Sequence, residues 1–447
     1  MTSKIEELNS NNIKGLVLKY SIPAIFALLI QSLYNIIDTI YVGHGIGGLG
    51  IAAMTIVYPI QLIMLAVTNL IAIGGGALIS ISLGKKEFEN ANKLAGNVII
   101  TLLVIGILMT VLCLMYLEPI LIVFGAGPTI YPLAREYMVI AFAATIVTLL
   151  LQGFLPLLRA EGKLKIVMIT TIISVILNII LAPIFLFYFN WGMWGVSTAT
   201  QISKFVVLII IILYYFKGKT TIELKLKHYI PDFKLIFKAA LLGLSSFLRA
   251  GGASFTSLVI NYLALKYAGP EGLAAFGLAY RISIFLFMPM FGLIQGSQPI
   301  IGYNFGANRK QNIKKTLDFT LHISLSMAIL FLILIILFAK EITMIFGNNP
   351  TIIRDCPKYL IWLTIPLPII AYQLIISGYL QAVGKILASN MIAILRQYVC
   401  FVPLMLLFSY MFQMNGLLYS YPISNAITFI LLFIWMQREK KSAFSDV

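Results

Sequence analysis

Between Tyr20 and Val42 the chain reads YSIPAIFALLIQSLYNIIDTIYV, twenty-three residues carrying one charge, Asp38. At a rise of about 1.5 Å per residue a helix of that length crosses a hydrocarbon core of roughly 30 Å. An ionised carboxylate inside such a span costs on the order of 2.5–3.5 kcal/mol on insertion scales. A sequence keeps one there when the side chain faces a protein interior or a wet cavity. Two readings follow: Asp38 works in such a cavity, or it sits close enough to its helix end to reach interfacial water.

The same apolar signal recurs along the whole chain. Runs of about twenty residues predict twelve membrane helices, near 16–41, 51–83, 94–117, 131–158, 164–188 and 193–216, then 235–265, 273–304, 316–338, 353–381, 386–410 and 415–436. Of 447 residues 60% are hydrophobic and 11% charged, against about 25% charged in a soluble chain. The fold class expected is therefore an all-α polytopic membrane protein. Residues 1–15 are polar and lack an apolar core with a small-residue cleavage site, so they read as an N-terminal segment rather than a signal peptide.

Lysine and arginine fall on alternate loops: Lys85, Lys86 and Lys93, then Arg159, Lys163 and Lys165, then Lys217, Lys219, Lys225 and Lys227. Arg309, Lys310, Lys314 and Lys315, then Lys385, and finally Arg438, Lys440 and Lys441 continue the series. By the positive-inside rule these loops and both termini are cytoplasmic, in a plasma membrane, and the net charge of +16 reflects topology rather than nucleic-acid binding. Cys113, Cys356 and Cys400 and the three histidines are scattered, which predicts neither a disulfide framework nor a metal site. No nucleophile with a partnered base, no phosphate loop and no repeated filter motif argues for an enzyme or a channel.

The longest connection, 217–234, is polar and basic and divides an N-terminal lobe (16–216) from a C-terminal lobe (235–436), with a tail at 437–447. The lobes match each other. Ala52 and Ala274, Gly84 and Gly306, and Gly162 and Gly384 are each 222 residues apart and hold the same place in the span pattern. Parallel repeats of six spans are a transporter architecture, with substrate bound between the halves and access alternating as they rock. Prolines within spans, such as Pro59, Pro156 and Pro289, suit helices that bend, as they also suit static kinks.

Polar residues inside the first six spans are few. Tyr34 and Asp38 are four apart and share a helix face, with Gln31 and Asn35 beside them. The fifth span offers Asn178; the sixth offers Thr198, Thr200, Gln201 and Lys204. Together they would line a polar pocket in the first lobe, or bond across helices as structural glue.

The segments YNIIDTIYVGHGIGGLGIAAM, LRAEGK, LNIILAPIFLF, QPIIGYNFGANRK and YLQAVGK resemble the multidrug and toxic compound extrusion (MATE) family, and within it the MepA-like and DinF-like branches. The similarity covers about 15–436. It implies two six-helix bundles in a V, exporting toxic compounds against an inward flow of protons or sodium ions, with no other cofactor and no partner chain. It also implies a cation site of four residues, three of which match here as Asp38, Asn178 and Thr200. The fourth position does not match: where relatives read Asn-x-x-x-Asp-Pro, this chain has Asn178 to Pro183 with Ala182 in place of the carboxylate. Lys204, one turn from Thr200, puts an ammonium where relatives carry a neutral residue. A lysine head group in the space of the ion, paired with Asp38, would join both departures; a stem that snorkels elsewhere is the alternative. With one carboxylate left, proton coupling through Asp38 is favoured.

The second lobe carries Arg249, Arg281 and Arg396 inside spans without a clear carboxylate, together with Tyr280, Gln295 and Gln373. These residues, with Gln31, Tyr34 and Asn35, form the expected substrate cavity for a small molecule. Each arginine either bonds helix-end carbonyls or a structural partner, or helps form a cavity that suits anionic or phosphate-bearing compounds better than cations; the alternative to an exporter is a flippase for a lipid-linked precursor.

Overall fold

A computed structural model of the protein describes residues 12–218, 220–345 and 350–439, with the side chains of 34–36, 48, 270 and 435–439 excepted. The chain termini, and with them most of the expected N-terminal segment and tail, lie outside the described residues. Every element among the described residues is helical.

The first half contains α1 (Ile13–Gly45), α2 (Gly48–Gly84), α3 (Phe88–Met115), a short α4 (Leu117–Val123), α5 (Tyr131–Ala143), α6 (Thr145–Ala160), α7 (Leu164–Pro183) and α8 (Gly192–Phe216). The second contains α9 (Phe233–Gly269), α10 (Glu271–Gly306), α11 (Lys310–Met344), α12 (Pro350–Thr364), α13 (Leu367–Ala382), α14 (Ile386–Ile394) and α15 (Val402–Glu439). The spans expected at 131–158 and 353–381 are bent pairs rather than single helices. α5 meets α6 at 58° and α12 meets α13 at 42°. At the second bend Pro366 caps α13, and its missing N–H and ring forbid a straight continuation. The run from Ile386 to Ile434 is continuous in hydrogen bonding yet breaks at Gln413, whose φ of 53° is non-helical. Counting each bent pair as one span and dividing at Gln413 gives the twelve expected.

The breaks themselves repeat. Left-handed residues occur at Gly47 and Gly269, at Lys86 and Asn308, and at Gly162 and Gly384, each pair 222 apart (269 − 47, 308 − 86, 384 − 162). Two six-helix bundles of the same connectivity result, so the internal match read in the sequence is a match of backbone as well.

How the bundles meet is visible in their cores. One apolar core is drawn wholly from the first half, around Val57, Leu121, Tyr137, Met138 and Phe142, and one wholly from the second, around Phe276, Leu360, Leu417 and Met405. Both lie toward the helix ends remote from the connection at 220–232. At the connection end the cores are shared. Ala239, Leu242, Ile300 and Tyr303 join the first half's cluster, and Ile25 packs on the second half's. There Ser80 donates to the Pro299 carbonyl at 2.9 Å. The helices approach so closely that a Cβ at Gly84 would strike the Tyr303 carbonyl, and one at its repeat partner Gly306 would strike that of Ile81. Ile81 and Tyr303 are themselves 222 apart, so the seal is pseudo-symmetric. Small residues allow this backbone-to-backbone contact between membrane helices.

The connection is ordered and docks on the first bundle. Glu161, fully buried beyond the end of α6, accepts from the Tyr215 hydroxyl at 2.9 Å and from the backbone N–H groups of Thr221 (2.6 Å) and Ile222 (3.4 Å). Asn92 accepts from the Glu223 N–H at 2.9 Å and Asn97 from the Asp232 N–H at 2.6 Å. Asp232 then caps α9, accepting from Lys234 N–H (3.0 Å) and Leu235 N–H (3.2 Å).

Candidate functional site

Asp38 and Glu161 are the two buried acids among the described residues, and of these Asp38 alone lies within a span. It sits seven residues before the end of α1, where Tyr41, three residues on, reaches α7: its hydroxyl lies 3.5 Å from the Ile179 carbonyl. That carbonyl is free because Pro183, four residues later, has no N–H to give it. The chain then continues from α7 through a π turn at Ile184–Tyr188. Proline thus both ends α7 and supplies the acceptor that holds α1 against it.

One residue before that freed carbonyl, Asn178 is buried and its amide donates to the Thr200 hydroxyl at 3.0 Å, across α7 and α8. Thr200 also donates to the Val196 carbonyl at 3.1 Å and exchanges a hydrogen bond with the Tyr137 hydroxyl. Tyr137, from α5, is close enough to Asp38 for the two to interact electrostatically, and it accepts from Gln61 Nε2 of α2 at 3.2 Å. The Asp38 Oδ1 atom is buried with no hydrogen-bond partner among the described residues.

Lys204 does not close an ion pair with Asp38. Its ammonium donates to the Thr148 hydroxyl of α6 at 3.4 Å, and Thr148 donates in turn to Gln201 Oε1 at 3.1 Å. Of the two readings, direct pairing is replaced by interaction at a distance: the two charges act on each other without contact. A lysine stem held by α6 keeps its head group beside the acid without neutralising it by contact. All six spans of the first bundle except α3 therefore contribute to one set of interacting polar residues, Asp38, Gln61, Tyr137, Thr148, Asn178, and Thr200 with Lys204.

Gln61, Tyr137 and Thr148 are not among the residues singled out by sequence. The available signal is a lone polar side chain flanked by apolar ones, which many packing residues share. Of the expected substrate-cavity residues, Gln31 is exposed on α1 and the side chains of Tyr34 and Asn35 lie outside the described residues. Gln295 is half-buried on α10, and Gln373 is buried, donating to the Asn425 carbonyl at 3.1 Å. Tyr280 stacks on Phe276 with centroids 6.2 Å apart. Arg281 is exposed, facing Tyr58 of the other bundle, while Arg249 and Arg396 are half-buried within the second bundle. The structure bonds Asn178 to Thr200 and places Tyr137 in reach of both Thr200 and Asp38, while Arg249 and Arg396 lie within electrostatic reach of each other. Among the described residues no cluster of histidine, cysteine or acids could hold a metal.

The model of the MatE family matches residues 23–184 and 252–407, once in each bundle. A multidrug export protein MepA of Staphylococcus haemolyticus (strain JCSC1435) is 26% identical over 422 residues, covering 94% of this chain and 92% of that protein. The MepA of Staphylococcus aureus (strain MRSA252) is 25% identical over 429 residues, covering 95% and 94%. Among solved structures, that of the MATE multidrug transporter DinF-BH, a ligand complex, superposes with a TM-score of 0.90 at 29% identity, covering 95% of this chain and 96% of that one. An outward-facing multidrug resistance MATE family transporter of the MOP superfamily superposes with a TM-score of 0.90 at 24% identity, covering 99% and 98%, a likeness of fold.

Proposed function

Because this chain belongs to the MatE family of membrane transporters, we propose that it is a secondary active exporter of drug-like and toxic compounds, driven by protons that bind at Asp38. The observation that carries this reading is the position of Asp38: a buried acid inside a span, one oxygen without a partner among the described residues, next to polar side chains drawn from other spans of the first bundle. Such a group binds a cation from one side and must release it to the other, which is the task of a coupling site.

Proton rather than sodium is favoured by what surrounds it. A sodium ion exchanges a full shell of water oxygens for those of the site. Here Ala182 contributes none, and the Lys204 ammonium adds a positive charge nearby. A proton needs only the one free carboxylate oxygen.

The basic loops gather at the sealed end, which the positive-inside rule makes cytoplasmic. The separate cores at the other end then flank a cleft open to the outside, and the shared core is the closed gate. Export follows if the same bundles part at the seal and close at the far end, with the protein working as a monomer in the plasma membrane. The test is transport in proteoliposomes against an imposed proton or sodium gradient, using cationic, neutral and anionic compounds. Accumulation driven by the proton gradient alone is expected; a strict sodium requirement would overturn the coupling assignment.

A further inference from the structure

The second bundle holds two guanidinium groups that the coupling chemistry does not use. Arg249, sixteen residues into α9, donates from Nη2 to Ser246 Oγ at 2.9 Å and lies 3.4 Å from Ser377 Oγ through Nη1. Both partners are neutral hydroxyls. Arg396 lies on the π turn Leu395–Phe401 that interrupts the helix between α14 and α15. Its neighbours pin that turn against α9 on either side of Arg249: the Tyr398 hydroxyl donates to the Leu248 carbonyl at 2.9 Å and Gln397 Nε2 to the Gly252 carbonyl at 3.2 Å. The two guanidiniums are thereby held in one corner of the bundle, close enough to repel each other.

Among the described residues nothing acidic compensates them. No ion pair among the described residues reaches Arg249 or Arg396, and no acid acts on either guanidinium. Arg396 is half-buried, and its nitrogens are neither sealed off nor taken up by a carboxylate among the described residues. A π turn is costly to keep and recurs at functional positions. Here it sets the direction of Arg396. Two uncompensated guanidinium forks held this near each other suit an oxyanion, which accepts paired N–H bonds from each. The Tyr280 hydroxyl, within electrostatic reach of Arg396, adds a third donor.

We propose that Arg249 and Arg396 form an oxyanion-binding subsite that holds a carboxylate, sulfonate or phosphate group of the molecule occupying the second bundle. That the occupant is cargo rests on the exporter reading; that it is an anion does not, since binding is measured at equilibrium without any gradient.

The experiment uses the full chain in neutral-lipid nanodiscs and a sulfonated xanthene dye beside a cationic xanthene of the same ring system. Wild type is expected to bind the sulfonated dye at least tenfold more tightly than the cationic one, with inorganic phosphate competing. Arg249→Gln and Arg396→Gln are each expected to weaken the sulfonated dye at least tenfold, Arg396→Lys less so, and Arg354→Gln, on an exposed pair with Asp355, not at all. If the glutamine variants do not fold, the wild-type preference and phosphate competition decide alone. Adding anionic lipid separates the sources. A fall in dye affinity in wild type means a headgroup phosphate competes for the subsite, and no change means the subsite is kept for soluble anions. Equal or tighter binding of the cationic dye by wild type, or unchanged sulfonate affinity in a folded Arg396→Gln protein, would overturn the proposal.

Discussion

The Asn178 amide and the Thr200 hydroxyl, 3.0 Å apart, join α7 to α8 beside the buried Asp38. This bond fixes which groups can turn toward the acid. Thr200→Ser keeps the hydroxyl and should transport at close to the wild-type rate. Thr200→Val keeps the shape and strands the Asn178 amide and the Tyr137 hydroxyl, at a cost of about 1–3 kcal/mol. It should lower the Tm by several degrees and cut transport at least tenfold. Thermal unfolding and dye efflux on the same samples separate the two effects; transport equal to wild type in the valine variant would remove the pair from the site.

The seal at the connection end predicts a conformational phenotype. A leucine at Gly306 cannot coexist with the Ile81 backbone against which that glycine lies. Gly306→Leu should therefore bias the bundles apart at this end. A cysteine placed at Ser80, which wild type shields against Pro299, should react with a thiol reagent at least tenfold faster in that background. Unchanged labelling would mean that this contact is not the gate.

The docked connection should respond to pH. Burial pushes the Glu161 carboxyl up to about 7 from its ordinary 4.5, against the opposing pull of the Thr221 N–H, the Tyr215 hydroxyl and Lys163. A raised folded-state value means that the folded form holds the proton more tightly. Its contribution is complete below about 4.5 and is lost as pH rises through about 7. Protection of residues 220–222 from hydrogen exchange, corrected for the intrinsic rate, should decline between about pH 5 and pH 8 in wild type. Glu161→Gln should flatten that decline, and an equal slope in the variant would place the titrating group elsewhere.

Ion choice should be transferable. Wild-type efflux is expected to be independent of sodium. Restoring a second carboxylate one turn from Asn178 while removing the competing ammonium, Ala182→Asp with Lys204→Ala, should introduce a sodium dependence that wild type lacks. Sodium titration of dye efflux reads it directly; a wild type that already requires sodium would contradict the role given to Lys204.

Most of the architecture is legible because membrane spans announce themselves by length and polarity, and because the repeat leaves matched residues 222 apart. The bends at Ala144 and Pro366 are less visible, since apolar composition continues through them and only the second carries a proline at the break. Asp38, Asn178 and Thr200 stand out as polar residues in apolar runs; Asn178 and Thr200 are bonded to each other, and Tyr137 lies in reach of Thr200 and Asp38. Gln61, Tyr137 and Thr148 carry the same weak signal and do not stand out, because which face of a helix points inward depends on the partner helices. The Lys204 contact differs from the expected pair for a similar reason. Sequence places the ammonium one turn from Thr200, but the position of Thr148 on the neighbouring α6 decides where its head group rests.

The central claim concerns Asp38, and one measurement reaches it most directly. Wild type and Asp38→Asn are reconstituted in proteoliposomes, and dye accumulation is followed after an imposed pH jump, with equilibrium dye binding measured on the same proteins. The account predicts that the asparagine variant binds dye within about threefold of wild type, a difference of well under about 1.4 kcal/mol, yet fails to accumulate it against its gradient. Proton-driven accumulation by Asp38→Asn at the wild-type level would contradict it.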